Sequence, residues 1–140
     1  MTTMTTLVEL CQAVQDVVGA ISGIRVAPDV PPEQGAGSGV AAFCYPGTGQ
    51  FELLTQGREQ GTHTLHLIIL TPRANLRTDW ARVIGLGDTV ARALLSDMTL
   101  SGKAQIIRPL RYTYGQLQWG GQEEFGWLFE VDVIATGGLS

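Results

Sequence analysis

Few residues in this 140-residue chain have types and spacing that could do chemistry. His63 and His66 are three apart, a spacing that on a helix could share a metal ion. Their surroundings, residues 62–70 (Thr-His-Thr-Leu-His-Leu-Ile-Ile-Leu), are β-branched or apolar with no Gly or Pro, and so read as a strand. On a strand the two rings point to opposite faces and cannot converge, so both read as structural histidines. Glu130 and Asp132 fall on one face of a run with period two, and Glu123-Glu124 lie close by in sequence. Paired carboxylates can serve as acid and base, but the commoner use is a solvated face or an interface that meets arginine. Cys11 and Cys44 sit inside apolar runs, as small hydrophobes kept reduced do. Nothing in their spacing builds a thiol–imidazole dyad with either histidine. Gly35-Ala-Gly-Ser-Gly39 lacks the Gly-Lys-Ser/Thr ending of a phosphate loop and leads into a strand, and Gly102-Lys103 lacks the upstream glycine. These readings predict no catalytic residues, no cofactor and no metal site.

The elements that must position these residues are organised around the strand at 62–70. Leu65, Leu67 and Ile69 take one side, and Thr64, His66, Ile68 and Leu70 the other. Both sides become apolar toward the end, which predicts an interior strand covered on both faces. Before it, Leu7, Leu10, Cys11, Val14, Val17, Val18 and Ile21 form one helical stripe, with Thr5 or Thr6 as N-cap and Ser22-Gly23 as the stop. Residues 24–27 are a short extended piece. Residues 28–39 carry three prolines and three glycines and form a long loop. Strands follow at 40–45 and 51–56, separated by a turn at 46–50, and a charged turn at 57–61 leads into the central strand.

A second helix lies within 75–97. Its stripe is Leu76, Trp80, Val83, Ile84, Val90, Ala91, Leu94 and Leu95, and Gly85 and Gly87 either bend it or let it lie close on the sheet. Residues 98–102 are a loop. Residues 104–119 read as one long, bent strand whose pairing Pro109 limits. Gly120-Gly121 turns the chain into a last strand at 125–135, and residues 136–140 read as a frayed tail. Hairpins dominate and no βαβ alternation is present. The fold class is therefore α+β: a single domain, with a core at about residues 7–135, in which a mostly antiparallel sheet packs against two helices.

Hydrophobic residues make up 44% of the chain and charged residues 16%, so part of the surface is expected to be hidden against partners. The net charge of -4, and nine scattered basic residues, exclude a nucleic-acid-binding patch. No run approaches the ~20 apolar residues of a membrane span. The first six residues show neither a positive region nor a cleavage pattern, so no signal peptide is expected. A chain without a site and with few charges reads as an assembly part, and identical subunits in heterologous contact close into a ring when the rotation permits. Loop length and charge mark Pro31, Pro32, Glu33 and Gln34, the turn residues Arg58 and Glu59, and Arg73 and Arg77 as candidate interface residues.

The order of these elements resembles a known family. The N-terminal amphipathic helix, the loop Ala27-Pro-Asp-Val-Pro-Pro32, and the strand Val40-Ala-Ala-Phe-Cys-Tyr45 match its first half. The strand–Pro–helix pattern of residues 62–72 before Asp79-Trp80, and the closing strands at 112–119 and 127–135, match its second. Together they are similar to the lambda-type tail terminator (tail completion) proteins of long-tailed bacteriophages. The resemblance implies a virion protein made in the host cytoplasm. It would form a ring, typically of six subunits, on the head-proximal end of the tail tube, stop tube polymerisation, and meet the head–tail connector. The same broad fold serves neck proteins and some tube subunits. A neck or head-completion role is therefore the first alternative, and a small enzyme or ligand-binding domain using Glu130, Asp132 and His66 the second.

Overall fold

The computed structural model describes residues 6–21, 24–26, 40–55, 58–71, 80–97, 99–100, 104–106, 110–119 and 122–138. The chain opens with α1 (Leu7–Gly19) and the short strand β1 (Ile24–Val26). A long hairpin follows, formed by β2 (Val40–Thr55) and β3 (Arg58–Thr71). Then come α2 (Trp80–Ser96), β4 (Gln105–Ile106), β5 (Arg111–Trp119) and β6 (Gln122–Gly138). The sheet runs β1-β2-β3-β6-β4, with β5 also paired to β6. Only β1–β2 is parallel, so this is the expected α+β arrangement of a mostly antiparallel sheet and two helices.

The central strand is interior, as its pattern predicts. β3 pairs with β2 on one side and with β6 on the other along its full length. Leu65, Leu67 and Ile69 are fully buried in the core that also holds Leu10, Val14 and Val18 of α1 and Val90 and Leu94 of α2. Phe129, Val131 and Val133 complete that layer, so both helices cover one face of the sheet. Truncating any of these to Ala removes about 2–5 kcal/mol. On the reverse face Ala41, Phe43, Ile68 and Leu70 form a second, smaller buried cluster. Gly126 lets β6 come this close to β3, because a Cβ there would collide with the Ile69 carbonyl oxygen.

α1 begins on a full capping box. The Thr6 hydroxyl accepts from the Glu9 N–H, and the Glu9 carboxylate accepts from the Thr6 N–H at 3.1 Å. The helix stops at Gly19 with Ala20 as its C-cap, short of the Ser22-Gly23 stop read from sequence. Leu95, expected in the buried stripe of α2, is 47% exposed, while Val90 and Leu94 are buried.

Four other expectations are corrected. Residues 46–50 are not a turn: β2 runs through them, and a register shift between Pro46 and Thr48 marks a bulge at Gly47. Proline belongs in edge strands and at bulges, and beyond Ala42 β2 is an edge strand among the described residues. Residues 58–61 are strand rather than turn, paired on both sides. That early start gives Thr136, Gly137 and Gly138 partners in Gln60, Glu59 and Arg58, so these residues extend β6 instead of fraying. Residues 104–119 hold two strands: β4 against Val133–Ile134, and β5 against the first part of β6.

Candidate assembly surface

The sheet register builds a polar cluster on the face away from the helices. Glu130 of β6 lies opposite His66 of β3 and opposite Arg111 of β5, while Asp132 lies opposite Thr64. Arg111 donates from Nη1 to Asp132 Oδ2 at 2.8 Å and from Nη2 to Glu130 Oε2 at 3.0 Å. The Thr64 hydroxyl donates to Asp132 Oδ1 at 2.5 Å. Asp132 is only 3% exposed, so its charge is answered by a cation and a hydroxyl rather than by water. The hydrogen bond to Asp132, then that to Glu130, pushes the Arg111 pKa further up. Next along the face, Tyr45 packs edge-on against His66, with its hydroxyl 3.4 Å from Nδ1. An open groove of about 380 Å³ borders this cluster beside Thr48, Thr62 and Thr64. With both its oxygens engaged, Asp132 ties β3, β6 and β5 together as a cross-strand brace. Among the described residues no three His, Cys, Asp or Glu side chains are grouped to hold a metal ion.

His63 points to the other face, as the strand reading requires. It lies opposite Gly49 and Val133, and its ring meets Phe51 at a centroid distance of 4.9 Å. A Cβ on Gly49 or on Gly61 would collide with the ring, so these two glycines make its slot. Burial pushes the imidazole pKa down. Cys44 stands opposite Leu67 on the helix-covered face, away from the His66–Tyr45 pair.

Of the candidate interface residues, Pro31, Pro32, Glu33, Gln34, Arg73 and Arg77 lie outside the described residues. Arg58 and Glu59 come together at the tip of the β2–β3–β6 ribbon. Arg58 lies opposite Thr55 and Gly138, and Glu59 opposite Leu53 and Gly137. Sequence reading missed Arg111, Thr64 and Tyr45. For Arg111 the signal was present: counting back equally from Gly120-Gly121 along both arms sets it opposite Glu130, the pairing observed.

Two long outer edges remain without a neighbouring strand among the described residues, one on β2 beyond Ala42 and the other on β5. Phe51 and Leu53 are 58% and 68% exposed on the first, and Tyr112 is 65% exposed on the second. Between Thr48 and Thr55 the only charged residue is Glu52, and there is no lysine. Exposed edges in stable monomers are normally blunted with charge, above all lysine. No helix among the described residues is long and apolar enough to cross a membrane. Comparison with protein-family models finds no match for this sequence, and comparison with curated proteins finds none either.

Proposed function

We propose that this chain is a structural virion protein that forms a ring at the head-proximal end of a phage tail tube, where it ends tube growth and offers a surface to the head–tail connector. The observation that carries the proposal is the pair of sheet edges, on opposite sides of the sheet, that have no neighbouring strand among the described residues, with Phe51 and Leu53 exposed on one and Tyr112 on the other. A surface of this kind suits head-to-tail contact between identical subunits, and such contacts close into rings. The α+β fold and the element order agree with the resemblance to lambda-type tail terminators. The low charge content fits a surface hidden by partners. In this reading the tail tube, the connector and further copies of the chain are the partners.

Electron microscopy of particles made with the gene disrupted tests the proposal. Over-long, headless tubes beside filled heads are the expected result. Tails of normal length that fail to join heads would instead assign the protein to the neck. Ordinary infectious particles would overturn the virion role. Glu130→Gln and Asp132→Asn variants that still assemble but lose a catalytic or ligand-binding activity would favour the carboxylate face as an active site.

A further inference from the structure

Cys11 and Cys44 are both free thiols and both part-exposed, one on α1 and the other on β2. Gln15 lies one turn after Cys11, on the same side of the helix. Its side-chain oxygen accepts the Cys44 backbone N–H at 3.0 Å. The helix is thereby held over Cys44 through Gln15, with Cys11 on the same side one turn earlier. Each thiol perturbs the ionisation of the other, the Cys11 pKa moving down and the Cys44 pKa up, as neighbouring thiols do. Both open onto a concave patch of about 320 Å³, bordered by Leu7, Val8, Tyr45 and Pro46. Small oxidants therefore have access to both thiols.

We propose that Cys11 and Cys44 form a redox-active dithiol, which a hydroperoxide converts into an intramolecular disulfide stapling α1 to β2. Cys11 is the attacking sulfur: it lies on the exposed helix side of the pair and the neighbouring Cys44 thiol lowers its pKa, while Cys11 and burial raise that of Cys44. The Cys11 thiolate attacks one peroxide oxygen, the O–O bond breaks, and hydroxide leaves, so that Cys11 becomes a sulfenic acid. The Cys44 sulfur then attacks the Cys11 sulfur, the S–O bond breaks, and water leaves with the Cys44 proton. In sum, two thiols and one hydrogen peroxide give one disulfide and two waters. A small dithiol reverses the step by exchange. The chemistry stands whether or not the ring proposal does. For a virion component, release from a reducing cytoplasm supplies oxidising conditions.

The test uses the full-length protein, reduced, desalted and exposed to hydrogen peroxide. The intact mass should fall by two hydrogens, and a non-reducing peptide map should contain the Cys11–Cys44 cross-link. Dithiothreitol should restore both thiols. The oxidised protein should unfold about 5–10 °C higher, as a cross-link closing a loop of this length does. In Cys44→Ser the reaction should stop at a Cys11 sulfenic acid, trapped as a single dimedone adduct. Disulfide-linked dimers as the main product, or two thiols that survive excess peroxide, would overturn the proposal. Should Cys44→Ser fail to fold, the mass and peptide map of the unsubstituted protein decide alone.

Discussion

One guanidinium holds two carboxylates of unequal burial in the Arg111 cluster. The Asp132 side chain is 4% exposed and that of Glu130 36%. Removing the cation takes from a buried carboxylate its Arg111 partner, and such a loss destabilises more strongly at a buried charge than at an exposed one. Arg111→Met should therefore lower the midpoint of urea unfolding clearly. Arg111→Met/Asp132→Asn should recover most of that loss, because the asparagine oxygen still accepts from Thr64 and carries no charge. Glu130→Gln should change the midpoint little, as half-exposed pairs contribute little. A double variant no more stable than Arg111→Met would show that Asp132 is not the group the arginine serves. His63 gives a pH lever of defined sign. The groups that face it, Phe51, Gly49, Gly61 and Val133, carry no charge, and burial lowers its pKa below 6.5. As pH falls through 6.5 the unfolded chain takes up a proton that the folded chain resists. The contribution of His63 is thus fully present above that value and is lost as pH falls toward the depressed folded value. Urea midpoints of the unsubstituted protein should drop more steeply between about pH 7.5 and pH 5 than those of His63→Gln. Equal slopes would remove His63 as the source.

At the scale of elements, two glycines of one helix should respond in opposite ways. A Cβ on Gly85 meets nothing within 4 Å, whereas one on Gly87 would lie 2.6 Å from the Trp127 ring. Gly85→Ala should therefore stabilise by about 0.5–1 kcal/mol, through the lower chain entropy of the unfolded state. Gly87→Ala should destabilise, since Trp127 is 7% exposed and packs with Tyr112, Tyr114 and Phe129. Thermal unfolding of the two variants reads both signs. Sequence reading left the role of these glycines open between a bend and a close approach, and for Gly87 the close approach holds. The rest of the fold divides along the same line. Periodic apolar patterns located both helices and the interior strand, because a period reports burial directly. Composition misplaced the turns at 46–50 and 57–61. Proline and glycine mark edges and bulges as readily as turns, and only the neighbouring strand decides which. The carboxylate pair was legible for the same reason as the strand, its period of two. Its arginine was legible only by a count of register back from the Gly120-Gly121 turn, which periodicity alone does not supply.

For the molecule as a whole, the ring proposal makes a demand that simple loss of an interface does not. In a heterologous contact the β2 edge of one copy meets a different surface, the β5 edge, on the next. Phe51→Lys/Leu53→Lys should damage only the first surface and Tyr112→Lys only the second, and lysine on an exposed edge opposes strand addition. All three residues are more than half exposed, so each variant should keep its fold by circular dichroism and sediment as a monomer where the unsubstituted chain forms rings. Each variant keeps the surface the other has lost. An equal mixture should then give a heterodimer that grows no further, joined by the sound β2 edge of one and the sound β5 edge of the other. If β2 instead pairs with its own copy about a twofold axis, Tyr112→Lys would associate normally and the mixture would show no heterodimer. Ionic strength separates the apolar contact from a charged one. An interface carried by Phe51, Leu53 and Tyr112 should persist in salt. One carried by Arg58 and Glu59 at the ribbon tip should weaken, since exposed pairs are screened beyond about 8 Å at physiological salt and closer still above it.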